Sequence, residues 1–365
     1  MRKYIRMYIK MRDEEAGMKI STETSNKIKN MALLCSVLVV GIHVRWPHDE
    51  IFSLGWFGYH FIKEGVARVA VPFFFVVSGF FLARHFDEPG WWRREVCKRI
   101  RSLVIPFYVW SLIAVSIPIP FSIVADMIAR RPFGTSVVSS FPGVMPILAF
   151  DLAREPILIP LWYVRCLFLF VLTSFIIRFF VCRIRRMWMI VSFCLMLAFA
   201  LAPEQGWYVI FDHGYSVKGL FYFSVGAWLV PWGVKHGRHT VYFAVISAVI
   251  GLVLMFMKAF LFGGCGWAIN MTDSLMIPFL LYAMWRFVPT RELPDFLAKC
   301  PFPIYLMHGV VFIILGLIWR NIGLEEYPLA YAFTMYFTGV AIPMVALVML
   351  RKWMPRFAAV ALGGR

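Results

Sequence analysis

Among the ionisable side chains inside apolar runs of this 365-residue chain, four have types that could do chemistry: His43, Arg68, Arg165 and His308. An ionisable group at mid-depth in a bilayer costs at least about 2.5–3.5 kcal/mol, so such residues usually face an internal cavity. Their types suit one kind of chemistry. A histidine titrating near neutrality accepts a proton from a hydroxyl or carries an acyl group. A neighbouring cation holds the phosphates of a donor, or a developing oxyanion in a dry site. The sequence has no Ser-His-Asp signature, no Gly-rich phosphate loop, no HExxH and no spacing that resembles a zinc site.

The order of these residues along the chain predicts their depth. His43 ends the run "LLCSVLVVGIH", Arg68 opens "RVAVPFFFVVSGFFLARHF", and Arg165 lies one turn into "IPLWYVRCLFLFVLTSF". If the first run leaves the cytoplasm and the others return to it, all three reach one outer level. His308, in "CPFPIYLMHGVVFIILGL", is expected about two turns above the cytoplasmic face, at the inner level of Ser78. Gly79, beside Ser78, permits close helix approach, and Pro72 frees the carbonyl of Arg68 from its helical bond. Together these small residues suggest a helix that lines a cavity.

The elements that must hold these residues are membrane helices. Hydrophobic residues make up 61% of the chain, against roughly 45–50% in a soluble protein. Apolar runs of about 16–23 residues recur from 31 to 350, each long enough to cross a core of ~30 Å. The alternating pattern of a membrane barrel is absent. The expected fold is all-α: a polytopic helical membrane protein with about ten transmembrane helices, at 31–45, 66–83, 103–124, 160–180, 187–202, 217–232, 241–259, 268–286, 302–319 and 328–350. Residues 1–30 are expected as a cytoplasmic tail without a cleavable signal, 31–350 as the transmembrane domain, and 351–365 as a second cytoplasmic tail. The loop at 125–159, with Arg130, Arg131, Asp151, Arg154 and Glu155, is the longest outer one and would cover a site.

The net charge of +17 fits topology better than nucleic-acid binding. With the N-terminus inside, 27 of the 37 Lys and Arg fall on the cytoplasmic side and eight on the other, which places both termini in the cytoplasm. The basic excess then meets anionic lipid, and no nucleic acid is expected as a partner. Of the seven cysteines only Cys265 is expected outside, so no disulfide framework is expected.

Four stretches now carry a resemblance: "LLCSVLVVGIH" at 33–43, "ARVAVPFFFVVSGFFL" at 67–82, "PLWYVRCLFLFVL" at 160–172 and "PIYLMHGVV" at 303–311, with "FYFSVGAWL" at 221–229 a weaker fifth. In this order the chain resembles acyltransferase family 3, polytopic membrane acyltransferases of sugars and cell-envelope glycans. The resemblance implies acyl-CoA as a cytoplasmic co-substrate, no bound cofactor, and a carbohydrate acceptor at the outer face. It marks His43 as the catalytic histidine and Arg68 as part of the central pore. Ser78, Gly79, Trp162, Arg165 and His308 fall on further recurrent positions, read as binding substrate or donor. Family members commonly place a basic residue eleven positions before the first-span histidine. Ala32 stands there in this chain, and Lys29, one turn earlier, is expected to take over its contact with the donor. No fused esterase-like domain, such as some relatives carry, is expected.

The resulting expectation is a membrane O-acyltransferase, most simply an acetyltransferase using acetyl-CoA, in a bacterial inner membrane, with glycan-assembly proteins as partners. A transporter or flippase of a glycan or small anion would use the same buried cations, and Ala32 raises a non-catalytic relative as a further alternative. The charge count yields a prediction on orientation. In a cysteine-free background, a cysteine at 92 is expected to label only from the cytoplasmic side and one at 140 only from the other. Reversed labelling would overturn the topology.

Overall fold

The computed structural model describes residues 20–132, 134–202, 209–230, 239–261, 265–323 and 326–364. Residues 1–19 of the expected N-terminal tail and the last residue lie outside the described residues. All regular elements among the described residues are helical. The main helices are α1 (Thr22–His43), α2 (Ala70–Ala83), α3 (Ile105–Ser116), α4 (Trp162–Leu172), α5 (Ser174–Arg183), α6 (Arg185–Leu201), α7 (Val217–Leu229), α8 (His239–Phe260), α9 (Gly266–Phe287), α10 (Pro301–Asn321) and α11 (Pro328–Trp353).

Six helical runs among the described residues are long and apolar enough to cross a membrane. They are α1, 54–83 including α2, 91–128 including α3, Val241–Phe260 within α8, α10 and α11. A seventh arises if α4 and α5, bent by 65° at Thr173, count as one span. Thr173 Oγ1 donates to Leu169 O at 2.9 Å and meets the Tyr215 hydroxyl at 2.7 Å, while Ser174 donates to Val171 O at 2.6 Å. Side-chain hydroxyls thus take carbonyls at the break, a recognised cause of bending. The expected spans at 187–202, 217–232 and 268–286 fall on α6, α7 and α9. The first two are 17 and 13 residues long within the described residues, and the third carries Asn270, Thr272 and Asp273.

Two boundaries differ from expectation. α1 begins at Thr22, nine residues before its apolar run, because the Ser21 side chain accepts from Thr24 N and caps the first turn. Its polar start is anchored: Asn26 donates to Thr290 O at 3.1 Å and Asn30 to Arg291 O at 2.7 Å. At the other end, the stretch read as a tail forms the helix Pro355–Ala361, which buries Ala358 and Ala361 and accepts a 2.9 Å bond from the Trp110 indole. Small apolar residues let it pack where charge alone suggested solvent.

α2 and α7 cross most closely. A Cβ on Gly79 would lie 2.0 Å from the Phe223 carbonyl oxygen, and one on Gly226 would lie 1.9 Å from that of Val76. The glycines therefore let two backbones touch, as small residues do in membrane helix pairs. Phe75, Phe170 and Phe223 fill the surrounding core. Gly79→Ala is expected to cost about 1–3 kcal/mol through overpacking, read as a lower melting temperature of the detergent-solubilised protein. Gly143→Ala, where an added Cβ meets nothing within 4 Å, should leave it unchanged or raise it.

Candidate active site

α1 starts beside the 285–291 turn, which leads through Asp295–Lys299 into α10, so α1 and α10 run in the same direction. His43 closes α1, while α10 continues for roughly 20 Å beyond His308 at 1.5 Å per residue. The two rings nevertheless face each other, with centroids 5.3 Å apart and planes tilted by 36°. This corrects the expectation that His308 lies at an inner level and His43 at an outer one. Counting from the start of each apolar run assumed that the helices begin level; α10 begins well above the start of α1. Segment 44–69 folds over the end of α1. There the Trp46 indole donates to Gly41 O at 3.2 Å, and Ile62 packs against Gly41.

The two histidines have different surroundings. His308 is fully buried, and its Nδ1 lies 2.9 Å from Ile304 O. A carbonyl only accepts, so Nδ1 carries the proton and Nε2 presents a lone pair. Nε2 is buried without a hydrogen-bond partner. The His43 ring is half-buried and makes no hydrogen bond among the described residues. The charges of Lys63 and Arg68, and His213, lie near enough to act on it.

Arg68 belongs to a four-charge cluster. It sits in the 3-10 turn Val66–Val69 that precedes α2, where Pro72 falls in the first helical turn and forfeits no internal bond. Arg68 Nη2 donates to both Glu64 oxygens at 2.6 and 2.7 Å, and its Nε lies 3.9 Å from Asp273. Lys258 of α8 bridges the same two carboxylates, at 2.9 Å to Glu64 and 2.7 Å to Asp273. Two cations and two anions cancel, which is what makes the burial of Lys258 and Asp273 tolerable. Arg68 alone stays open, with 36% of its side chain accessible. Both bonds to Glu64 use Nη2, so Nη1 remains uncommitted and can receive an anionic group.

Arg165 is placed differently from expectation. It is fully buried and donates to three backbone carbonyls: Asp151, Arg154 at 3.0 Å and His213 at 3.5 Å. Its guanidinium thus ties the 151–155 loop to the 210–214 turn. Trp162, one turn earlier, packs its ring 4.5 Å from His213, whose two nitrogens meet Glu155 and, at 3.3 Å, Asp212. Asp212 in turn acts on Arg68.

The remaining expected residues separate into two groups. The Ser78 hydroxyl lies 3.2 Å from that of Tyr163, whose ring contacts Tyr305, which contacts His308. Ser78 is thereby linked to the histidine pair through aromatic rings. Gly79 lies in the α2–α7 crossing, so the structure gives it packing and not ligand contact. Lys29 is exposed at the start of α1, and Ala32 packs against the core. The buried cation here is Lys27, which donates to Trp285 O at 3.4 Å and, with Arg286, lines an open cleft of about 420 Å³.

Glu64, Lys258, Asp273, Asp212 and His213 were not expected from the sequence. Lys258 and Asp273 carried a usable signal: opposite charges, one turn or two from the connected ends of neighbouring apolar helices. Asp212 and His213 lie in a short π-type turn, Ile210–Gly214, that no residue pattern announced.

The acyltransferase domain of acyltransferase family 3 matches residues 28–350, and the chain belongs to that family. It is an integral membrane protein of that family. It is 25% identical, over 95% of its own length and 94% of the relative's, to the succinoglycan biosynthesis protein ExoH of Rhizobium meliloti (strain 1021). No solved structure matches.

The charge cluster yields a stability prediction. Lys258→Met leaves two buried carboxylates facing one arginine and is expected to cost about 3–5 kcal/mol. Adding Asp273→Leu restores balance and should recover most of the loss. Melting of the two variants side by side checks this; equal stability of Lys258→Met and wild type would show that the cluster holds nothing together.

Proposed function

We propose that the protein is a membrane O-acyltransferase that moves an acyl group, most simply acetyl, from cytoplasmic acyl-CoA to a hydroxyl of an exported or cell-surface carbohydrate. The membrane would be a bacterial inner membrane, crossed by about ten helices with both termini inside. The observation that carries this reading is His43: a half-buried imidazole with no hydrogen bond among the described residues, at the closed end of α1, which packs against the Val66–Val69 turn that carries Arg68. The relative's part in succinoglycan biosynthesis supports a glycan acceptor.

In this reading His43 takes the hydroxyl proton as the acceptor oxygen attacks the thioester carbonyl. Arg68 meets the oxyanion through Nη1. The C–S bond then breaks, and the proton on His43 passes to the departing CoA thiolate. Each part has a general warrant: a positioned base contributes about 10²–10⁴-fold, and a donor aimed at the oxyanion works best in a site without water. At the other end of α1, Lys29, Lys27 and Arg286 would attract the CoA phosphates, with Lys29 standing in for the basic residue absent at Ala32. Ser78 and Trp162 would line the path between donor and acceptor. Glycan-assembly proteins would deliver the acceptor.

His43→Ala is expected to lower thiol release from acetyl-CoA by about 10²–10⁴-fold, with expression and the melting temperature kept. Full activity in that variant would remove His43 from the mechanism. Substrate movement across vesicles without thiol release would instead support a transporter. Mass spectrometry of envelope glycans from cells with and without the gene would identify the acceptor.

A further inference from the structure

Among the buried polar atoms that lack a hydrogen-bond partner, Nε2 of His308 belongs to the ring that faces His43 and is unused by the mechanism above. The ring is fully buried, its Nδ1–H is committed to Ile304 O, and Nε2 is a bare acceptor with no partner. Such an atom is costly to keep in an apolar interior, so it persists where a donor comes to meet it. The neighbouring ring able to supply an N–H is His43, at a centroid separation of 5.3 Å. An imidazole nitrogen lies about 1 Å from its ring centre and a hydrogen bond spans about 3 Å, so a head-on N–H···N contact places centroids roughly 5 Å apart. The other rings near His308 are Tyr305 and Phe312, and the Tyr305 hydroxyl donates to Pro160 O.

We infer that His308 is the positioning residue for His43: its Nε2 accepts the N–H of His43 and thereby turns the other nitrogen of His43 toward the reacting hydroxyl. The inference rests on His43 being the base. The contact is open in the free protein and closes by a turn of the half-buried His43 ring when reactants fill the site, as catalytic hydrogen bonds commonly tighten in the complex. His308 then does for His43 what an orienting group does in a catalytic triad. It selects one tautomer, and it keeps a hydrogen bond to the imidazolium that forms when the acceptor proton arrives. Two features suit it to this part. Its own tautomer is set by a backbone carbonyl within α10, and its burial keeps water from competing for the lone pair. This changes the role read from sequence, where His308 is a residue that binds substrate or donor.

The test uses the full-length protein in detergent micelles with acetyl-CoA as probe and thiol release as readout. His308→Leu removes the acceptor at similar volume and is expected to lower kcat about 100-fold, with the KM for acetyl-CoA within twofold. His308→Gln retains a side-chain oxygen that can accept from His43 and should recover at least tenfold of that loss. The double variant His43→Ala/His308→Leu should be no slower than His43→Ala alone, since a residue acting through another adds nothing once that one is gone. A raised KM with unchanged kcat would place His308 on the donor and overturn the inference. So would equal losses in His308→Leu and His308→Gln when both melt like wild type, or a further loss in the double variant. An active His43→Ala would overturn the base itself. An inactive His43→Ala beside a fully active His308→Leu would remove only the pairing.

Discussion

An ion inside an apolar bundle must be neutralised where it stands, and the Glu64–Arg68–Lys258–Asp273 cluster is this protein's answer to that constraint. Each partner alone would lose several kcal/mol of hydration. Together they balance two charges against two, with Lys258 touching both carboxylates at hydrogen-bonding distance. The cluster draws together the turn before α2, the end of α8 and the start of α9. It therefore settles where segment 58–69 runs, and that segment closes over the end of α1. Because Lys258 shares the two carboxylates and Arg68 reaches Glu64 through Nη2 alone, Arg68 keeps one nitrogen and a third of its surface for something else.

The histidine pair depends on the same closure. α1 stops at His43 while α10 continues, so the chain after His43 must turn across the bundle instead of leaving it. Trp46 covers the last carbonyls of α1 and Ile62 packs on Gly41. The outcome is a half-buried histidine set against a second, fully buried histidine whose Nε2 is a bare acceptor. Arg165 uses both terminal nitrogens of its guanidinium to hold loop carbonyls, one of them that of His213, on whose ring Trp162 packs. The two arginines that looked alike in sequence thus divide into one that faces the site and one that builds its wall.

The adjacent pair Ser78–Gly79 divides in a similar way. Gly79 is needed because the carbonyl of Phe223 occupies the place of its side chain, whereas Ser78 on the next position reaches Tyr163 and, through Tyr305, the surroundings of His308. One residue serves the contact of two helices and its neighbour serves the site. This follows from the 100° step between successive helical positions.

The sequence by itself determined that the chain is helical and membrane-embedded, because long apolar runs have no other way to satisfy their backbone in lipid. It also determined the family, and it singled out His43 and Arg68, because a charge in an apolar run is visible without coordinates. Only the tertiary structure decided which charges meet. Lys258 and Asp273 lie 15 residues apart on connected helices, but Glu64 is about 200 residues from either, so its part in their neutralisation is a long-range fact with no local signature. The depth of His308 was misjudged for a related reason: residue counting assumes helices that start level, and packing staggers α10 against α1. The role of Arg165 was equally out of reach, since a guanidinium that binds backbone carbonyls leaves no mark on the residues that supply them. Local pattern carries the solvent each segment prefers; partner choice is carried by contacts between segments far apart in the chain.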